Sequence, residues 1–174
     1  MPPLRLAFVA LVLSLASCGY RPLRSGLEGH PRIRLVRSIV RAPSGATVSA
    51  GDEAVLGARG ELARFGALAE SDGPDVERLT LEIVRIDERS EGAMVVVGPN
   101  GDKPLARGVR LRVTARGDLE GQGAPFTTAD VDAFEIVSAS PDDVLGWESA
   151  RSAAVRTAAR KAGAMVAREV LGLP

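Results

Sequence analysis

Apolar positions along this chain change spacing from segment to segment, and each spacing predicts an element. Leu6 to Ser17 is almost continuously apolar, about the length of a signal-peptide hydrophobic core and shorter than the roughly 20 residues a membrane span needs. Arg21 to Arg32 carries two prolines, two glycines and little periodicity, which reads as a tether. Ile33 to Val40 is rich in β-branched residues and predicts a first strand. From Asp52 to Glu70, Val55, Leu62, Phe65 and Ala69 recur at helical spacing, and Ser49 or Asp52 can cap the N-terminus. Gly57, Gly60 and Gly66 weaken that helix, each by up to about 1 kcal/mol relative to alanine, so packing must hold it.

Ser71-Asp72-Gly73-Pro74 breaks the helix. Arg78 to Asp87 then alternates, with Leu79, Leu81 and Ile83 on one parity, before the apolar phase moves to Val84 and Ile86. A change of phase by one residue predicts a β-bulge. Glu91-Gly92 interrupts the pattern, Met94 to Val97 resumes it, and Asn100-Gly101 marks a hairpin turn. On the return strand Val109, Leu111, Val113 and Ala115 share one parity, while Arg110, Arg112, Thr114 and Arg116 share the other. Phe126 to Ala139 predicts a fourth strand. Ser140-Pro141-Asp142-Asp143 supplies a cap, a first-turn proline and two acids. The helix that follows carries Val144, Trp147, Arg151, Ala154, Val155, Ala158, Ala162, Met165, Val166 and Glu169 on one face, and Gly172 and Pro174 end it.

The order strand, helix, three strands, helix predicts an α+β fold. Its expected form is a two-layer sandwich, a four-stranded mostly antiparallel sheet with two helices packed on one face (β-α-β-β-β-α). The domain plan is a signal segment at 1–17, a lipidated tether at 18–32 and a single domain at 33–174. The other sheet face is left for something else.

Composition narrows the function. The 22 basic and 22 acidic side chains balance, which leaves no excess of positive charge for nucleic acid. With one cysteine there is no internal disulfide, and with few aromatics the core must be built from Val, Leu, Ile and Ala. His30 is the only histidine, beside Pro31, and no metal-binding, paired-cysteine or phosphate-loop motif occurs. The acid pairs Asp87-Glu88 and Asp142-Asp143 read as solvated rather than catalytic. The expectation is a protein without enzymatic activity, cofactor or metal.

The lone cysteine has a specific reading. Leu15-Ala16-Ser17-Cys18 fits a bacterial lipobox: apolar, small, small, cysteine. In that chemistry the Cys18 thiol receives a diacylglycerol, the signal is cut before Cys18, and the new amine is acylated, for instance by palmitate. Several acyl chains anchor stably where one is marginal. Gly19 follows the cysteine, where an aspartate would favour inner-membrane retention. The expected address is therefore the periplasmic face of the outer membrane.

From Cys18-Gly19-Tyr20-Arg21-Pro22-Leu23, through the hairpin at Asn100-Gly101, to the long final helix, the mature chain resembles the LPS-assembly lipoproteins, the LptE family. The resemblance implies a plug inside the lumen of an LptD-like outer-membrane β-barrel. Such a plug assists barrel folding and contacts lipopolysaccharide on its way to the outer leaflet. Lipopolysaccharide carries phosphates and carboxylates, which makes Lys103, Arg107, Arg110, Arg112 and Arg116 candidate binding residues, those near the hairpin above all. On the wet face of an antiparallel sheet such arginines also pair ordinarily with acids such as Glu82. The alternative function is that of an unrelated outer-membrane lipoprotein with a structural or partner-binding role.

Overall fold

A computed structural model describes residues 32–40, 47–98, 101–121, 123–139 and 144–173. The signal segment, Cys18, His30 and the Ser140-Pro141 cap lie outside the described residues. The elements are β1 (Arg32–Val40), α1 (Thr47–Arg64), β2 (Val76–Gly98), β3 (Gly101–Glu120), β4 (Phe126–Thr127), β5 (Val131–Ala139) and α2 (Val144–Val170). β1 and β2 run parallel on either side of the α1 crossover, and β2–β3, β3–β4 and β3–β5 are antiparallel. The α+β two-layer arrangement expected from the alternation is the one that forms. Both helices pack on one face of the sheet.

Strand parity explains why they do. In β3, Leu111, Val113 and Ala115 are fully buried, and opposite them Ile83 pairs with Ala115 in β2. Leu79, Leu81 and Ile83 of β2 and Val131, Ala133 and Val137 of β5 complete the floor. The predicted phase change is real. The β2–β3 register slips between Ile83 and Arg85, so Ile86, opposite Val113, returns to the helix-covered parity. β2 also runs on through Glu91-Gly92 to Gly98, with a further slip between Ser90 and Ala93, because its partner strand continues beside it. The hairpin closes with Gly98 opposite Gly101. Among the described residues, the stretch beyond Ala93 and before Arg107 pairs only within this hairpin, as a two-stranded ribbon.

The fourth strand departs from expectation in one place, since it is divided into β4 and β5. At the break the Thr128 hydroxyl accepts a hydrogen bond from Gly117 N–H at 2.9 Å, and Thr128 N–H donates to Gly117 O at 2.8 Å. A side-chain oxygen thus stands where a backbone carbonyl would, and the register slips by one residue. Ala129 N–H is taken instead by Glu169 Oε1 of α2, at 2.9 Å. Sheet and final helix are tied together at this bulge.

Helix α1 differs most from its prediction. It begins before Asp52, so Ser49 and Asp52 lie inside it rather than capping it, and it stops short of Glu70. Gly66 adopts φ +68°, Ala67 N–H bonds Leu62 O and Gly66 N–H bonds Ala63 O, a Schellman termination. Ala67 to Ala69 is then extended and bridges β1: Ile33 N–H donates to Ala67 O and Ala69 N–H to Ile33 O. Ala69 is buried by this bridge and not by a helical stripe. Val55 and Phe65 are only half-buried, and the inner face is Ala50, Ala54, Ala58 and Leu62. In α2, Met165 is exposed, and Ala159 and Ala167 join the buried set.

The small residues have a reason. A β-carbon at Gly57 would collide with the Arg160 carbonyl, and one at Gly163 with the Ala54 carbonyl. The two helices therefore touch backbone to backbone, and both glycines are close-approach positions. Glu53 pairs with Arg160, and Glu61 lies near Arg168. These contacts advance together along both chains, so the helices are parallel.

Candidate functional site

The face opposite the helices has no covering layer among the described residues, and the even-numbered side chains of β3 stand on it. Arg110, Arg112 and Arg116 form the predicted row, and each meets acids from a neighbouring strand or loop. Arg110 pairs with Glu91 of β2 (Nε–Oε1 2.8 Å) and lies over the Phe134 ring, 5.7 Å from its centroid. Arg112 bridges Asp87 of β2 and Asp132 of β5, 3.3 Å from each. Thr114 Oγ1 donates to Asp132 at 2.6 Å, which fixes that carboxylate. Asp87 also meets Arg85 at 2.7 Å, and its buried Oδ2 is held by these charges without an aligned hydrogen bond. Arg116 donates from Nε and Nη2 to Asp130 Oδ1, at 2.8 and 2.6 Å.

Charge therefore alternates across the sheet, acid on β2, base on β3, acid on β5. The hydrogen bond to Asp130, then its charge, hold the Arg116 guanidinium above the ordinary arginine pKa, with Glu82 and Asp118 adding to the effect. Glu82, the acid that sequence pointed to, sits opposite Arg116 in register and is 7% exposed. Asp87, read from sequence as a solvated acid, instead has a buried Oδ2 between Arg85 and Arg112, and Glu91, Asp130 and Asp132 are partners that sequence reasoning did not single out. Asp132 shares parity with Phe134, and that alternation was a usable signal. Asp87 was hidden by the bulge.

Lys103 and Arg107 lie further along β3, towards the hairpin. Lys103 lies opposite Val96 within the ribbon, and Arg107 opposite Ala93 and Ala139, at odd register beside Val109. The structure thus brings three of the five candidate cations together and sets two apart at the hairpin end. Cys18 lies outside the described residues.

The apolar exceptions on this face cluster at β5. Phe134 and Ile136 are 45% and 62% exposed. Where the start of β5 meets the end of α2 there is a groove of about 410 Å³ bordered by Asp130, Asp132, Met165, Arg168, Glu169 and Leu173. On the helix layer, Arg151 pairs with Glu88, and this hydrogen bond raises its pKa above the ordinary value. Lys161 pairs with Glu135 and Arg160 with Glu53. Among the described residues no cluster of His, Cys, Asp or Glu is arranged to hold a metal, and no helix is long and apolar enough to cross a membrane.

No protein-family model matches the chain, and no curated protein sequence matches it. Solved structures do resemble it. A minor lipoprotein from Acinetobacter baumannii is 16% identical with a TM-score of 0.47, over 82% of this chain and 92% of that one. The rare lipoprotein B from Shewanella oneidensis is 11% identical with a TM-score of 0.47, over 80% of this chain and 94% of that one.

Proposed function

We propose that this chain is an outer-membrane lipoprotein, anchored through Cys18 at the periplasmic face. In this reading it plugs an LptD-like β-barrel, helps that barrel assemble and takes part in lipopolysaccharide insertion at the outer leaflet. The observation that carries the reading is the uncovered sheet face. A face meant for an apolar partner would not carry arginines. This one is polar, with its arginines compensated by internal acids, and it presents few apolar side chains. That chemistry suits the interior of a large β-barrel, which is polar while its outer band is apolar. The lipobox at Leu15-Ala16-Ser17-Cys18 supports the same address.

Lipopolysaccharide phosphates would compete poorly for Arg110, Arg112 and Arg116, whose donors are already engaged by carboxylates. The reading therefore places anion contact at the hairpin end, with Lys103 and Arg107. The test is purification of the tagged chain from membranes together with depletion of the chain in cells. The expected result is a co-purifying large β-barrel, and surface lipopolysaccharide that falls on depletion. A chain that purifies alone, and whose loss leaves surface lipopolysaccharide intact, belongs to the alternative partner-binding class. Changing Lys103 and Arg107 together to glutamate should weaken lipopolysaccharide binding. That loss should shrink as salt rises, since screening acts over about 8 Å at physiological ionic strength.

A further inference from the structure

The two edges of the sheet are built differently. At one edge β1 slips register between Leu35 and Arg37, and its first residues are covered by the bridge to Leu68. At the other edge β5 is straight. Its pairing with β3 runs from Val131 opposite Ala115 to Ala139 opposite Arg107 without a shift. Among the described residues nothing pairs with the outer edge of β5. Alternate backbone N–H and C=O groups there face outward, a template for another strand. Natural sheets blunt such edges with bulges, prolines or charged side chains; β5 has no bulge or proline, and its two charges, Asp132 and Glu135, are taken up by Arg112 and Lys161. It carries Phe134 and Ile136, both exposed, on its open-face parity.

From this geometry we infer that β5 is a docking edge for an extended segment of a partner protein, added as a further strand with a basic side chain seated in the groove at the end of α2. Strand addition takes affinity from main-chain hydrogen bonds and specificity from pockets for alternate side chains. β5 offers exposed apolar side chains to one parity and a groove to the other. A side chain of one parity would lie beside Phe134 and Ile136. A side chain of the other parity, near Val131, would enter the groove bordered by Met165 and Leu173. Asp132 is taken up by Arg112 and Thr114, and Arg168 lies near Glu61, so the acidity of the groove comes from Glu169 and Asp130. Both contacts of Arg116 fall on Asp130 Oδ1, which keeps acceptor capacity on the other oxygen. The last turn of α2 ends at the same place, and its dipole also favours a cation. The occupant is therefore a segment alternating apolar and polar residues with lysine or arginine at the groove position. The inference rests on the edge and its charge, and it stands whether or not the partner is a barrel.

The probe is a labelled ten-residue peptide alternating threonine and valine, with one central threonine replaced by arginine. It is titrated into the purified full chain by fluorescence anisotropy, and amide exchange of the chain is followed with and without it. Alternate amides within 131–139 should slow by about ten-fold or more while β1 amides do not change. A peptide with glutamate in place of the arginine should bind about ten-fold more weakly, one order in affinity. Ile136→Lys should weaken the arginine peptide by a similar factor without altering β2 exchange. Binding without slowing of β5, or equal binding of the two peptides, overturns the proposal. So does a sedimentation profile showing a dimer whose β5 is already protected, because the edge then belongs to a second copy.

Discussion

The two faces of the sheet use the same strands for opposite ends. On β3, Leu111, Val113 and Ala115 have no exposure and meet the helices, while one residue away Arg110, Arg112 and Arg116 meet carboxylates and water. Stability and interaction are thereby separated by parity. The covered face contributes through apolar area removed from water, about 25 cal/mol for each Å². Exposed ion pairs such as those on the open face contribute at most about 1 kcal/mol each. A face that adds little to stability can change its side chains to suit a partner, and the covered face cannot.

The comparison breaks most severely at Val155, 1% exposed on the inner face of α2. Val155→Asp buries an unpartnered charge, which costs about 3–5 kcal/mol or more, a large share of the 5–15 kcal/mol that holds a domain folded. Loss of the far-UV circular dichroism signal or of soluble yield should follow. An unchanged spectrum would mean that this face of α2 is not packed. Next in size is Gly163→Ala, which drives a methyl group into the Ala54 carbonyl. Overpacking of this kind costs about 1–3 kcal/mol, readable as a lower denaturant midpoint. Gly60 makes the contrast, because a β-carbon there meets nothing within 4 Å. Gly60→Ala should raise stability by about 0.5–1 kcal/mol through helix propensity alone. The smallest effect belongs to the open face, where Arg112→Gln should move the midpoint by less than about 1 kcal/mol. A larger loss there would show that the charge ladder, and not only the helix-covered core, holds the sheet.

What could be read from sequence follows the same division. Strand parity was legible because the period of two is carried by large residues against charges, and even the slip after Ile83 left its mark in the shift to Val84 and Ile86. Helix α1 was less legible. Its inner face is alanine and glycine, which carry little hydrophobic signal, so the larger Val55 and Phe65 set the predicted stripe although they are half-buried. Its end was overrun because Gly66 reads as one more weak helix former when its left-handed backbone is not visible. Which acid meets which arginine of the row was less legible for another reason. Arg112 finds Asp132 only through the β3–β5 register, and the Thr128 bulge that sets this register replaces a backbone acceptor with a hydroxyl.

The packing of small residues between the parallel helices also bears on heat. Eleven of the 25 buried apolar residues among those described are alanines. Alanine loses no side-chain entropy on folding, so the ordering term is small, and it removes little apolar area from water, so the hydration term is small as well. The heat capacity of unfolding tracks exposed apolar area, at about 0.45 cal/K/mol for each Å². A core rich in alanine therefore lowers the curvature of stability against temperature. Measured by calorimetry, this domain should fall below the roughly 12–15 cal/mol/K per residue common to globular proteins. Its stability should then vary little with temperature around its maximum.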